Sequence, residues 1–271
     1  MKPRFLVLGL VFWLVSGAAA RADSVILVHG YLGSAGSWRG TGIAAVLDRR
    51  GWRDAGHLRI SPRGVVAFGN GTGSATRFYT IDLPSEAPVA LQANILLRYM
   101  TFVAARHGKE PIILAAHSAG GIVARFAMVT SRGANASALI TIASPHMGAR
   151  LAELGSMVAE SPLSWFAPFV GGNTVNRSRI LYRDLSPERP GNLLGWLNRQ
   201  PHPPAKYISV IRVNSKAAPL EGDGMVVAWS QDMNSVPALR GKSQRIMSPG
   251  NHDLRPADGY LLADILNRLR G

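Results

Sequence analysis

Hydrophobic positions fall into two alternating patterns along the chain. Short apolar runs at 25–29, 57–61, 112–116, 138–142, 206–213 and 243–247 read as strands. Those at 112–116 and 138–142 are nearly unbroken, as expected for strands covered on both faces. Between the runs, apolar residues recur at helical spacing near 39–50, 85–107, 120–131, 150–160 and 257–270. In the longest of these, Ser85 with Glu86 forms an N-terminal cap, Leu91, Ile95, Leu96 and Tyr99 make the apolar stripe, and Gly108 ends the helix. Alternating strands and helices predict an α/β domain with a mostly parallel sheet of about six strands and helices on both faces. Residues 160–204 break the rhythm. Their apolar clusters Trp165-Phe166, Phe169-Val170 and Leu193-Leu194-Gly195-Trp196 lie among prolines and glycines.

The first 22 residues stand apart from this pattern. Lys2 and Arg4 precede an apolar core from Phe5 to Val15, and Ala20-Arg21-Ala22 places small residues at a cleavage position. This predicts a secretory signal cleaved after Ala22, and hence a periplasmic or extracellular protein. The remaining 249 of 271 residues (23–271) suit one domain with a sizeable core. The chain has no cysteine, which excludes disulfides, a thiol nucleophile and a cysteine metal site. Net charge is +14, and removing Lys2, Arg4 and Arg21 with the signal leaves +11. A field of that sign favours anionic surfaces such as lipid head groups. The basic residues are scattered and carry no nucleic-acid motif, so nucleic acid is not expected as a partner. Gly69-Asn-Gly-Thr-Gly73 follows no strong strand and lacks a Lys-Ser/Thr partner, so it reads as a loop rather than a phosphate cradle.

Two motifs carry chemistry. Ile112-Ile-Leu-Ala-Ala-His-Ser-Ala-Gly-Gly121 runs from a buried strand into a helix through Ser118. A sharp strand-to-helix turn can lift a serine hydroxyl out of a sheet beside a base, and it needs small residues two before and two after, here Ala116 and Gly120. Gly121 lets the helix approach the strand closely. The second motif, Val25-Ile-Leu-Val-His-Gly-Tyr-Leu-Gly-Ser34, ends a strand in His29-Gly30 and a small-residue loop. Backbone N–H groups in such a loop can hold the negative charge that develops on a carbonyl oxygen in acyl transfer. The Tyr31 and Ala119 N–H groups are the expected donors, with the His29 side chain bracing the loop.

Together these motifs resemble the α/β-hydrolase superfamily, and within it the small secreted bacterial lipases and esterases. The resemblance extends to Ala143-Ser-Pro-His-Met-Gly148, and more weakly to Asp184-Leu-Ser-Pro187, Gly222-Asp-Gly-Met-Val226 and His252. It implies an α/β-hydrolase fold and a serine, acid, histidine order along the chain. Of the histidines after Ser118, His146 comes too early and His202 lies in a rigid Pro-His-Pro-Pro loop, which leaves His252 as the base. His117 adjoins the serine, but neighbouring side chains on the turn point apart. Glu221, Asp223 and Asp232 qualify as the acid by region, and likeness to the family's D-G-x-V element favours Asp223.

The resemblance also places the 160–204 insertion over the nucleophile as a cap or lid. Leu32, His146, Met147, Trp165, Phe169 and Met225 are the expected pocket residues. The implied activity is hydrolysis of apolar acyl esters through an acyl-enzyme on Ser118, with no cofactor and no metal. Acyltransferase, thioesterase, amidase and polyester depolymerase chemistry would use the same side chains, and a non-catalytic surface-binding protein would use the fold alone.

Overall fold

The computed structural model describes residues 23–69, 74–108, 110–149, 177–214 and 222–270. Eight strands, β1 (Asp23–Val28), β2 (Arg53–Ser61), β3 (Gly64–Phe68), β4 (Thr76–Ile81), β5 (Ile112–His117), β6 (Ala136–Ile142), β7 (Lys206–Val213) and β8 (Ser243–Pro249), form one sheet. Their order is β3-β2-β4-β1-β5-β6-β7-β8. Every pairing is parallel except the β2–β3 hairpin. The chain leaves β1 for β2 and the edge strand β3, returns to β4 beside β1, then crosses over to β5 and builds outward through β8. Loops leaving β1 and β5 meet at this reversal, where the carboxyl ends of strands in open α/β sheets form ligand crevices. Val28 pairs with Ala116, so the residues that follow each strand emerge side by side.

The sheet has two more strands than the apolar runs indicate. β4 was hidden because its sequence, Thr-Arg-Phe-Tyr-Thr-Ile, interrupts the apolar residues with buried polar ones. Arg77 is buried by an ion pair with Glu110 at 2.6 Å and a hydrogen bond to Ser24 Oγ at 3.1 Å. Thr80 accepts from Arg39 Nε at 2.8 Å. β3 is an edge strand whose Val66 and Phe68 face solvent, so no buried run announces it.

Helices cover both faces, and they differ from the predicted spans in instructive ways. Around 39–50 there are two short helices, α1 (Ala35–Arg39) and α2 (Ile43–Arg49), separated by Gly40-Thr41-Gly42. The long helix α3 runs Val89–Arg106 and begins later than Ser85, because Pro88 occupies its N-cap and has no side chain able to cap. The missing cap comes from a distant part of the chain: Val89 N–H donates to Asp184 Oδ2 at 3.0 Å. Its buried face is Val89, Gln92, Ala93, Leu96, Tyr99, Met100 and Val103, while Leu91 is exposed. α4 (Ala119–Thr130) packs with α3 on one face of the sheet. Residues 177–184 are helical, followed by the short α5 (Leu193–Leu197) and α6 (Ala228–Gln231). The final helix, α7 (Pro256–Arg270), packs with α2 on the opposite face.

Two apolar cores result. Leu96, Tyr99, Ile122, Val123 and Leu139 belong to the α3–α4 side, whereas Leu27, Trp38, Leu47, Ile140 and Leu262 belong to the α2–α7 side. Among the described residues, no helix is long and apolar enough to cross a membrane. The predicted signal (1–22), the helix near 150–160, most of the Gly69–Gly73 loop, and the 160–176 part of the insertion with Trp165 and Phe169 lie outside the described residues.

Candidate active site

The turn after β5 is a strained one. Ser118 has φ 51° and ψ −130°, a combination that L-residues rarely adopt and that costs about 1–3 kcal/mol. The turn is anchored by the Ser118 N–H, which donates to Ile142 O at 2.9 Å. Tight approach of the β1 loop explains the glycines on either side. A Cβ on Gly30 would lie 2.8 Å from Ser118 Cβ, and one on Gly120 would lie 2.4 Å from His29 O. The His29-Gly30 loop therefore rests directly against Ser118. His29 braces it: Nδ1 donates to Gly30 O at 2.9 Å, and Nε2 accepts from Leu83 N–H at 2.9 Å. This bonding needs a neutral ring, and burial lowers the His29 pKa accordingly. Among the described residues, neither the Tyr31 nor the Ala119 N–H is engaged by a protein acceptor.

Three side chains from separate parts of the sequence meet here. Ser118 Oγ lies 2.8 Å from His252 Nε2, and His252 Nδ1 lies 2.8 Å from Asp223 Oδ2. All three residues are buried. His252 comes from the loop after β8, and Asp223 from a tight turn after β7. The other Asp223 oxygen, Oδ1, accepts from Met225 and Val226 N–H at 2.9 and 2.7 Å. Burial alone would raise the Asp223 pKa. The hydrogen bond and charge of His252, with the two N–H groups, outweigh it and hold the carboxyl below its usual value. A hydroxyl, imidazole and carboxylate linked in this order can activate the hydroxyl as a nucleophile, with the carboxylate fixing the ring tautomer. Asp232 instead accepts from Asn234 N–H and caps a one-turn helix, and Glu221 lies outside the described residues.

The His117 side chain points away from the serine and toward the loop that carries His252. Its Nε2 donates to the backbone carbonyl of His252 at 2.8 Å, and the two rings lie 5.1 Å apart. Desolvation, with the neighbouring His252 second, pushes the His117 pKa down to about 3. Nothing in the sequence signals this contact, since the partner is a main-chain oxygen 135 residues away.

His146 is fully buried within the Ala143–Gly148 loop. Its Nδ1 accepts from Arg125 Nη1 at 3.2 Å and its Nε2 donates to Thr141 Oγ1 at 3.0 Å. Arg125 is itself fully buried and donates to Asn198 Oδ1 at 2.7 Å and to His202 Nε2 at 3.3 Å. Desolvation lowers the Arg125 pKa to about 9 and the His202 pKa to about 4, and holds His146 well below its ordinary value. This network fastens the 143–148 loop to α4 and α5, and it accounts for both histidines set aside as bases. The half-buried Leu32, Met147 and Met225 remain as the described apolar residues of the expected pocket. Ser230 ties the Met147 segment down, accepting from Met147 N–H at 3.2 Å and donating to Gly148 O at 2.7 Å.

A model of the PGAP1-like alpha/beta domain matches residues 20–160, more than half of the chain. The chain belongs to that family. The matched span of the PGAP1-like domain holds β1, the His29-Gly30 loop, β5 and Ser118, while Asp223 and His252 lie beyond it. Solved structures share the complete fold. The product of the Listeria innocua gene lin2722 aligns with TM-score 0.64 and 16% identity over 91% of this chain and 94% of its own. The mature Bacillus licheniformis lipase BlEst2 aligns with TM-score 0.53 and 17% identity over 93% of each chain. The metagenomic carboxyl esterase MGS0156 aligns with TM-score 0.55 and 16% identity over 93% of this chain and 76% of its own. No curated protein matches the chain. The PGAP1-like domain thus sits within an α/β-hydrolase fold, and the eight-stranded sheet is that fold's architecture.

Proposed function

We propose that the protein is a serine hydrolase that cleaves carboxylic esters of apolar acyl groups. The observation that carries this reading is the unbroken hydrogen-bonded chain Ser118–His252–Asp223 beside the N–H groups of Tyr31 in the β1 loop and Ala119 at the start of α4, neither engaged among the described residues. Ser118 Oγ adds to the ester carbonyl carbon while His252 Nε2 takes its proton. The oxyanion accepts from the Tyr31 and Ala119 N–H groups, each such donor being worth about 3–4 kcal/mol. The C–O bond then breaks, the alcohol leaves with the proton from His252, and the acyl group stays on Ser118. Water, deprotonated by the same imidazole, releases the acid by the reverse steps.

An apolar acyl group is supported by Leu32, Met147 and Met225, and by exposed Ile180 and Trp229 beside residues that flank the site. Ile180 belongs to the helical stretch whose Ser178 donates to Tyr31 Oη, and Trp229 adjoins Ser230. The reading includes export through residues 1–22 and contact of the cationic mature chain with anionic lipid surfaces.

Ser118→Ala is expected to abolish hydrolysis of p-nitrophenyl butyrate, a loss of about 10⁴–10⁶-fold in kcat, with the thermal midpoint retained. A fluorophosphonate probe should label wild type at Ser118 and leave the variant unlabelled. Wild-type turnover in Ser118→Ala would overturn the assignment. Mass spectrometry of exported protein should give Asp23 as the first residue.

A further inference from the structure

Beneath the loop that carries His252, two arginines converge on Gly250. Arg212 lies near the end of β7, its side chain on the α7 face of the sheet and fully buried. Its Nη2 pairs with Asp258 Oδ2 in the first turn of α7, and the same oxygen accepts from Arg255 N–H at 2.9 Å. A Cβ on Gly250 would lie 2.6 Å from Arg212 Nη1 and 2.6 Å from Arg255 Nη2. The two guanidinium groups are therefore no farther apart than twice that distance. Gly250 has φ 145°, in the region that favours glycine, and any side chain there would collide with both guanidinium groups.

Charge and donors are both left over. Among the described residues, Asp258 pairs with the Arg212 guanidinium and takes only the backbone N–H of Arg255, so two cations face one anion. Arg212 Nε, Arg212 Nη1 and Arg255 Nε are also buried without a hydrogen-bond partner among the described residues. Unpaired buried charge is among the costliest arrangements in a protein interior. Water can accept from such donors but brings no charge. A monovalent anion supplies both the charge and an acceptor surface without directional demands. Arg255 is half-buried, which gives such an ion a route in from solvent.

We propose that Arg212 and Arg255 form a binding site for a small monovalent inorganic anion of the halide class, seated beside Gly250 under the His252 loop. The site is independent of the hydrolase reading. Its test is a thermal melt of the whole protein in sodium chloride, sodium bromide or sodium gluconate at one ionic strength, so that general screening is constant. Chloride and bromide are expected to raise the midpoint above that in gluconate. For a dissociation constant of about 10 mM, 100 mM halide shifts the folding equilibrium about elevenfold. Arg255→Gln should fold and lose the halide increment, whereas Arg255→Lys, which keeps the charge, should retain part of it. Crystals soaked in bromide should show an anomalous peak between the two guanidinium groups. Equal midpoints in halide and gluconate, an increment that survives Arg255→Gln, or no bromide peak would overturn the proposal.

Discussion

Replacing Gly30 by alanine tests how the β1 loop and the nucleophile fit together. The added methyl would sit 2.8 Å from Ser118 Cβ and 3.1 Å from His117 O. Carbon atoms in contact prefer about 3.5–4.0 Å, so loop and turn must separate by about 1 Å. Neither partner yields easily. Ser118 is fixed by its bond to Ile142 O and by the 2.8 Å contact with His252, and the loop is fixed on the other side by His29. A displacement of about 1 Å between reacting groups costs about 100-fold in rate. Because the oxyanion contacts form in the transition state, the loss should fall on kcat and leave KM nearly unchanged. Overpacking should also lower stability by about 1–3 kcal/mol. Steady-state kinetics on p-nitrophenyl butyrate and a urea melt of the same preparation measure both effects. A Gly30→Ala enzyme with kcat within threefold of wild type would show that the β1 loop is not where the oxyanion is held.

Three other outcomes follow from contacts described above. His117→Ala leaves the His252 carbonyl without its donor, at about 1–3 kcal/mol, and should lower kcat about tenfold at similar KM, with His117→Gln recovering part of it; identical kinetics for wild type and His117→Ala would exclude a positioning role. Stability should fall as pH drops below about 6.5: the unfolded chain binds protons at His117 and His202 there, whereas the folded chain resists until about 3 and about 4, so each contributes up to about 1.4 kcal/mol per pH unit in that window. The depressed Asp223 acts in the same direction at lower pH, and urea midpoints that stay level between pH 7 and 5 would contradict the neutral, buried state of these rings. Asp184→Ala removes the cap from α3 and should cost about 1 kcal/mol, read as a lower urea midpoint with kcat unchanged.

Much of this architecture was legible because it rests on local rules. Apolar runs mark the strands of the sheet centre, and small residues around Ser118 mark a turn that any larger side chain would obstruct. Resemblance to the α/β hydrolases, with turn-rich sequence around both residues, points to Asp223 and His252, which lie in one hydrogen-bonded chain with Ser118. What escaped notice depends on partners far away in sequence. β4 reads as polar until Arg77 is seen to bury its charge against Glu110. The start of α3 is misplaced without knowing that Asp184 caps it from 95 residues away. The bonds of His146 to Arg125, Thr141 and Asn198 are likewise invisible in the sequence. Periodicity and motif spacing carry no information about such contacts, because each joins side chains that only the finished sheet brings together.

Tyr31 has a double attachment with a practical corollary. Its backbone faces the site, while its phenol bonds Tyr182 Oη at 2.6 Å and accepts from Ser178 Oγ at 3.0 Å, both on the helical stretch at 177–184. Re-engineering that stretch to admit bulkier molecules would therefore also disturb the β1 loop that rests against Ser118. Under the proposed hydrolase reading selectivity and turnover are mechanically linked, and a library that randomises 177–184 should hold Ser178 and Tyr182 constant.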